Sequence, residues 1–176
     1  MQGVVVIAGV MAAGKSTVAQ ALAERLPRAA HVRGDVFRRM IVSGREDYTP
    51  GASAQATAQL RLRYRLSAAT ADAYAEAGFT AIVQDVLLGP ELRRYADLIR
   101  TRPLHVVVLA PSPETVAQRE AGRPKTGYGT DWTIADLDRE LRRRTEPLGL
   151  WLDTSGLTVE QTVEAILAQA ERARID

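Results

Sequence analysis

Eight residues near the start of the chain have the types and the spacing that bind phosphate. Gly9 to Ser16 read Gly, four residues, Gly-Lys-Ser, between the apolar run 4–7 and a segment with helical apolar spacing. In such a loop the main-chain N–H groups turn toward the phosphates and Lys15 neutralises the β- and γ-phosphates. The Ser16 hydroxyl can bind Mg²⁺. The sequence therefore predicts a nucleoside triphosphate site.

Lys15 is one of two lysines in a chain whose Lys plus Arg total is 23. A compact ammonium fits between phosphates better than a planar guanidinium, which explains a lysine at this position. A tight strand-to-helix turn with an incidental lysine is the competing interpretation. The residues predicted to bind the nucleotide here are Gly9, Ala12, Ala13, Gly14, Lys15, Ser16 and Thr17, with Ser16 as the metal ligand.

A second group of charged residues follows a short strand predicted over 29–33. Gly34 and Asp35 are followed, three residues after the aspartate, by Arg38. A phosphoryl acceptor must be held in line with the γ-phosphate, and a carboxylate there can position and deprotonate its hydroxyl. Asp35 is therefore a candidate catalytic residue. The alternative role is an N-cap of the following helix.

Apolar strands that alternate with helices are predicted to position these groups. The strands cover residues 4–7, 29–33, 80–84, 104–110 and 150–152. Helices are predicted over 15–26, 35–41, 55–77, 89–98, from 113 to about 122, over 134–144 and over 159–170. This alternation favours an open α/β sheet of parallel strands covered on both faces.

Composition excludes several classes of site and partner. The 176 residues carry 23 basic and 21 acidic side chains, a net charge of +2, so there is no long polybasic arm. Cysteine is absent, which excludes disulfides, thiolate zinc sites and a cysteine nucleophile. The apolar run at 4–10 is too short to span a bilayer, and no basic segment precedes it. We expect a cytoplasmic protein without a membrane partner.

With these motifs the chain resembles the small P-loop kinases over most of its length. The phosphate loop, the Gly34-Asp35-x-x-Arg38 element and the segments 83–85 and 150–155 resemble most closely the chloramphenicol phosphotransferase-like group of bacterial small-molecule kinases. The Gly-Asp-x-x-Arg element is also similar to that of polynucleotide 5′-hydroxyl kinases and adenylylsulfate kinases. The resemblance implies one P-loop kinase domain over residues 1–176, with a three-layer α/β fold and a five-stranded parallel sheet. It also implies a substrate flap at about 43–54 and a lid at about 119–130.

The resemblance further implies roles for single residues. In these kinases the aspartate faces the acceptor hydroxyl as base or orienting group and the arginine holds substrate or phosphate, which implies those roles for Asp35 and Arg38. Arg119 and Arg123 are the implied lid cations, which act on the transferred phosphoryl group, and Lys125 is a weaker candidate. A solvated basic turn is the alternative for the lid. The remaining implied contacts are Asp85 with the acceptor and Thr154, Ser155 and Gly156 with the adenine.

The expected function is transfer of the γ-phosphoryl group of ATP, with Mg²⁺, to a hydroxyl of a small molecule, either an antibiotic or a metabolite. A polynucleotide 5′-hydroxyl kinase is the first alternative, since a phosphate backbone can be guided by Arg33, Arg38 and Arg39 together with the trio Arg61, Arg63 and Arg65. Against it, the net charge is only +2 and the aromatic content only 5%, so the chain has few residues that could form a groove in which bases stack. A partner-regulated ATPase or nucleotide-binding protein is the second alternative.

Overall fold

Five strands form the sheet in the computed structural model, which describes residues 1–122, 128–129 and 131–175. They are β1 (Val4–Gly9), β2 (Ala29–Arg33), β3 (Thr80–Gln84), β4 (Leu104–Leu109) and β5 (Leu150–Leu152). Every residue of β1, β3 and β4 is buried. Such continuous apolar runs are typical of parallel strands covered by helices on both faces.

The strands are all parallel and lie in the order β2-β3-β1-β4-β5. Val4 of β1 is in register with Ala81 of β3 on one side and with Leu104 of β4 on the other. The chain moves one way from β1 to β2 and back from β2 to β3, so right-handed crossovers place the connecting helices on opposite faces. The predicted three-layer α/β architecture with a five-stranded parallel sheet is confirmed.

Helices cover both faces of this sheet. α1 and α7 pack together on one face, and α3 and α4 pack together on the other. Within the described ranges, no helix is both long enough and apolar enough to cross a membrane. The helices are α1 (Lys15–Arg25), α2 (Gly34–Arg39), α3 (Ala54–Glu76), α4 (Glu91–Leu98), α5 (Pro113–Ala121), α6 (Ile134–Arg144), α7 (Val159–Ala168) and α8 (Ala170–Ala173).

The C-terminal helix differs from its prediction, because it is interrupted instead of continuous over 159–170. Gln169 has φ −113° and ψ 26°, outside the helical range, and separates α7 from α8. Beyond α8, Arg174 forms an antiparallel bridge with His105, and the Ile175 N–H donates to the Leu104 carbonyl at 2.9 Å. The helix breaks where the chain turns to pair with β4. The periodicity of apolar residues does not reveal this pairing.

The loops that follow the strands meet at one edge of the sheet. Because the strands are parallel, their carboxyl ends all lie on that edge. It collects the phosphate loop after β1, Asp35 after β2, Asp85 after β3 and residues 153–156 after β5. Open α/β sheets bind their ligands at this edge, near the point where the strand order reverses. The fold therefore brings the separate motifs of the sequence to one place.

Candidate active site

The phosphate loop has the backbone conformation that an anion site needs. Ala12 and Gly14 have positive φ values of 59° and 95°, and Gly14 precedes α1 without any side-chain cap. A side chain at Gly9 cannot be accommodated, because its Cβ would lie 2.5 Å from the Leu109 carbonyl oxygen. No acidic residue lies in the first turn of α1. The helix therefore presents its free N–H groups and the positive end of its dipole to a ligand.

Lys15 lies against this loop. Only 8% of its surface is exposed, and its Nζ donates to the Val10 carbonyl oxygen at 2.7 Å. Ser16 and Thr17 face a surface cavity of about 390 Å³ beside α1. The hydroxyl of Ser16 makes no hydrogen bond to any described residue. The loop thus presents an ammonium group that the fold holds in place and a hydroxyl that is available to a ligand.

The residues present fit an Mg²⁺ ion that is bound mainly by phosphate. The described part of the chain contains no cluster of three or more His, Cys, Asp or Glu side chains suited to a metal. Mg²⁺ commonly keeps several waters and binds through substrate phosphates with one or two protein oxygens. The available hydroxyl of Ser16 is suited to be one such oxygen. A dedicated cage of carboxylates is not required.

Arg119 connects the phosphate loop to the loop after β5. It extends from α5, and its two Nη atoms donate to the carbonyl oxygens of Ala13 at 3.1 Å and Thr154 at 2.7 Å. Its Nη1 also lies 3.8 Å from the position of a Cβ at Gly14. The guanidinium is therefore beside the phosphate loop. The other proposed lid cations, Arg123 and Lys125, lie outside the described residues.

The loop after β5 offers one polar group for a ligand. The Thr154 hydroxyl is buried and has no hydrogen-bond partner among the described residues. Ser155 is already engaged, since its Oγ accepts from the Ser112 N–H at 2.8 Å and donates to Asp153 at 2.5 Å. Gly156 is exposed. Contact of all three residues with adenine stays a prediction. Of the three, Thr154 has the hydroxyl that no described residue engages.

Asp35 is half exposed in the first turn of α2. Its side chain is 51% accessible and lies 3.0 Å from Arg39 one turn later. The N-cap alternative is wrong, because Arg33 occupies the cap position and Asp35 is the second helical residue. Arg38, on the next turn, pairs with Asp47 in the flap. The carboxylate of Asp35 is thus accessible to a substrate, and Arg38 connects α2 to the flap.

Asp85 is held by Arg63, for which the sequence suggested only a role in guiding a phosphate backbone. Its side chain is 0% exposed, and both of its oxygens accept from Arg63 on α3, one of them from Nε at 2.8 Å. The Val86 N–H also donates to this carboxylate, at 2.6 Å. Burial lowers the pKa of Arg63, but the charge and the hydrogen bonds of Asp85 outweigh that effect and raise it. The acceptor role of Asp85 stays a prediction, and the geometry favours a positioning role.

The arginine trio of α3 does not form one basic stripe. Arg63 turns inward to Asp85, whereas Arg61 and Arg65 are exposed and line a different surface cavity of about 200 Å³ with Tyr64, among others. Residues two apart in a helix lie about 200° apart around its axis, so the sequence contained this signal. The trio therefore gives no continuous track for a phosphate backbone.

Two contacts of aromatic residues at the site were not predicted. The Tyr128 hydroxyl donates to the carbonyl oxygen of Met11, in the phosphate loop, at 2.8 Å. Trp132 stacks on Tyr48 of the flap, with ring centroids 6.5 Å apart and planes inclined by 17°. Tyr48 is part of the flap and Tyr128 of the predicted lid, but these contacts join segments far apart in sequence. Local spacing carries no signal for them.

Comparisons with known proteins agree with this geometry. A family model described as AAA domain matches residues 4–147, which contain the phosphate loop, Asp35 and Arg119. No curated protein matches the chain significantly. Among solved structures, a sugar kinase from a Janibacter species has 22% identity and a TM-score of 0.71, with coverage of 98% of this chain and 96% of the other.

Two further solved structures are similar over nearly the whole chain. The Deinococcus radiodurans tunicamycin resistance protein has 22% identity and a TM-score of 0.71, with coverage of 100% of this chain and 99% of the other. The Mycobacterium tuberculosis APS kinase, solved with AMPPNP and APS, has 17% identity and a TM-score of 0.67, with coverage of 97% and 98%. At these identities the likeness establishes the fold, which is that of the P-loop kinases.

Proposed function

Since the chain belongs to the AAA domain family and has the fold of the P-loop kinases, we propose that it is an ATP-dependent kinase of a small, uncharged alcohol. The observation that carries the proposal is the placement of Asp35 relative to the phosphate loop. β2 and β1 are separated by β3 alone, and neighbouring strands lie about 4.8 Å apart. Asp35 and the loop thus begin about 10 Å apart, which leaves room for a γ-phosphate and an acceptor hydroxyl between them.

The donor half of the site has the groups that bind a triphosphate. The start of α1 presents free N–H groups, Lys15 lies against the loop, and Arg119 lies beside it. Among the residues that the structure describes, Arg119 donates only to carbonyl oxygens, so no described carboxylate cancels its charge. When bound, Mg²⁺ supplies further charge neutralisation between the β- and γ-phosphates. These features support ATP with Mg²⁺ as the donor.

The transfer step assigned to Asp35 is general-base or orienting catalysis. The carboxylate accepts the proton of the acceptor hydroxyl while that oxygen bonds to the γ-phosphorus. The bond from the γ-phosphorus to the bridging oxygen breaks, and ADP leaves with its electron pair. Positive groups beside the loop stabilise charge on the transferred phosphoryl, and Arg119 is suited to this role.

Ion pairing on the acceptor half favours an uncharged acceptor. The arginines that contact Asp35, Asp47 and Asp85 are each paired with one of these aspartates, so these three pairs add no net charge. An anionic acceptor finds no unpaired cation among them, whereas Arg33 and Arg45 are exposed and pair with no described residue. The pairs are Arg39 with Asp35, Arg38 with Asp47 and Arg63 with Asp85.

The proposal is tested with purified protein, ATP and Mg²⁺ against alcohols and oligonucleotide ends, with products read by mass. We expect phosphorylation of an uncharged alcohol. Asp35→Asn should lower kcat by about 10²- to 10⁴-fold, the range of general-base catalysis, and leave ATP affinity unchanged. Asp97→Asn removes an exposed aspartate on α4 and should have no effect.

Three outcomes would contradict the proposed function. The first is full transfer activity in Asp35→Asn. The second is a parent protein that, in calorimetry, shows no ATP affinity beyond that of Lys15→Ala. The third is phosphorylation of DNA or RNA ends but of no small alcohol, or ATP hydrolysis stimulated only by a protein. That result would identify one of the two alternative functions instead.

A further inference from the structure

An aromatic contact joins the flap to the segment before α6. Tyr48 belongs to the flap between α2 and α3, and Trp132 precedes α6. Their rings are nearly parallel, with planes inclined by 17° and centroids 6.5 Å apart. Tyr48 is 46% exposed, whereas Trp132 is partly buried and packs against the edge of the hydrophobic core. The Tyr48 ring is therefore not needed to fill the interior.

On one side the contact is fixed to the element that carries Asp35. Asp47, the neighbour of Tyr48, pairs with Arg38, which lies three residues after Asp35 on α2. The flap is also tied to α3, because Gln59 accepts from the Glu46 N–H at 2.9 Å and donates to the Gly44 carbonyl at 2.8 Å. Tyr48 is therefore held near the proposed catalytic carboxylate by its own segment.

On the other side the contact is fixed to the phosphate loop. The Gly129 N–H donates to the Trp132 carbonyl oxygen at 3.2 Å, which ties these two residues together. The neighbouring Tyr128 hydroxyl donates to the Met11 carbonyl oxygen in the phosphate loop at 2.8 Å. The two rings thus join the donor side of the site to the acceptor side.

We propose that Tyr48 and Trp132 are acceptor-binding residues and that the acceptor is an uncharged alcohol built on a ring. Aromatic faces bind the C–H face of a saturated ring or the face of an aromatic one, and they give little to a flexible open chain. Because Arg38 and Arg39 are already paired with aspartates, we expect the polar part of acceptor recognition to be hydrogen bonding to its hydroxyls. This inference rests on the proposed function, because an acceptor site presupposes transfer.

The kinetic test compares ring alcohols with open-chain alcohols. The ring probes are methyl glucoside, inositol and phenyl-substituted alcohols, and the open-chain probes are glycerol, erythritol and sorbitol. Tyr48→Ala and Trp132→Ala should each raise KM for ring probes by about three- to tenfold, the range for one aromatic contact. KM for ATP should stay within about twofold, and Tyr48→Phe should restore the parent value, because the ring and not the hydroxyl is used.

A matched control is Tyr74→Ala on α3. Tyr74 is also exposed, at 44%, and its ring also contacts another aromatic residue, Phe79, with centroids 6.1 Å apart. This variant should leave both KM values unchanged. Equal losses for ring and open-chain probes would overturn the proposal, as would unchanged KM values in both alanine variants or an open-chain compound as the preferred acceptor.

A binding measurement separates this inference from the proposed function. The chain has two tryptophans, so Trp151→Phe leaves Trp132 as the fluorescent reporter. With AMPPNP present, ring probes should change Trp132 emission saturably, and sorbitol should not. If no alcohol is phosphorylated but ring probes still bind, the ring site stands and the kinase proposal fails. If no ring probe changes the emission, the ring site is overturned, whether or not transfer is observed.

Discussion

Replacing Gly34 by alanine should destabilise the fold through one defined clash. The new Cβ would lie 1.9 Å from Oδ2 and 2.6 Å from Cγ of Asp85. Gly34 starts α2 with a backbone that an alanine adopts without strain, so the cost is steric and not conformational. The Asp85 carboxylate cannot turn away without breaking its pair with Arg63, and that pair is buried.

The expected loss is about 2–4 kcal/mol in the free energy of unfolding. Overpacking a tightly packed site typically costs about 1–3 kcal/mol. Breaking a buried ion pair by displacing one partner costs about 3–5 kcal/mol. The greater helix propensity of alanine offsets up to about 1 kcal/mol of this loss. Gly34→Ala should also lower kcat more than ATP affinity, because the shift of α2 displaces Asp35.

Urea unfolding followed by circular dichroism measures the loss. The matched control is Gly122→Ala at the end of α5, where the nearest heavy atoms lie at 3.8 and 4.0 Å and φ is −85°. It should change stability by less than about 1 kcal/mol. An Asp85→Ala background removes the two closest atoms and leaves only the Cβ of residue 85, at 3.2 Å, so Gly34→Ala should then cost less than about 1 kcal/mol. A loss that is equally large in that background would refute the reasoning.

Three further predictions concern the donor site and the histidines. Arg119→Ala should weaken ATP binding in calorimetry by about ten- to hundredfold, whereas the exposed Arg172→Ala on α8 should not. Tyr128→Phe removes the hydrogen bond to the phosphate loop and should lower the unfolding free energy by about 0.5–1.5 kcal/mol. Burial is the main cause that lowers the pKa of His31 and of His105, so the unfolded chain binds more protons than the native one below pH about 6.5. Urea midpoints should fall from pH 7.5 to 5.5, and less steeply in His105→Asn; an unchanged slope would contradict this assignment.

The strands and the phosphate loop were predictable because local patterns decide them. The run of β-branched residues at 4–7 fits only a strand covered on both faces, and the glycines that follow allow the left-handed turns of the loop. Parallel pairing then follows from the alternation of strands and helices. Since parallel strands place their ends at one edge, the meeting of Lys15 and Asp35 at that edge was also predictable.

The partners of the charged side chains were not predictable, because they depend on packing. Asp85 and Arg63 are 22 residues apart, and their pairing requires α3 to pack against the sheet at β3. Gly34 belongs to the same arrangement, since the absence of a Cβ lets α2 approach that pair. The sequence showed Asp85 as a polar residue at a strand end. It did not show that an arginine already held both of its oxygens.

The distribution of these partners explains how one site can handle two substrates of different charge. On the donor side, Arg119 donates to carbonyl oxygens, which leaves its full positive charge for phosphate. On the acceptor side, Arg38 and Arg63 are each neutralised by an aspartate. An arginine-rich composition therefore does not make the whole site attract anions. Under the proposed function, charge selects the triphosphate on one side, and shape and hydrogen bonding select the alcohol on the other.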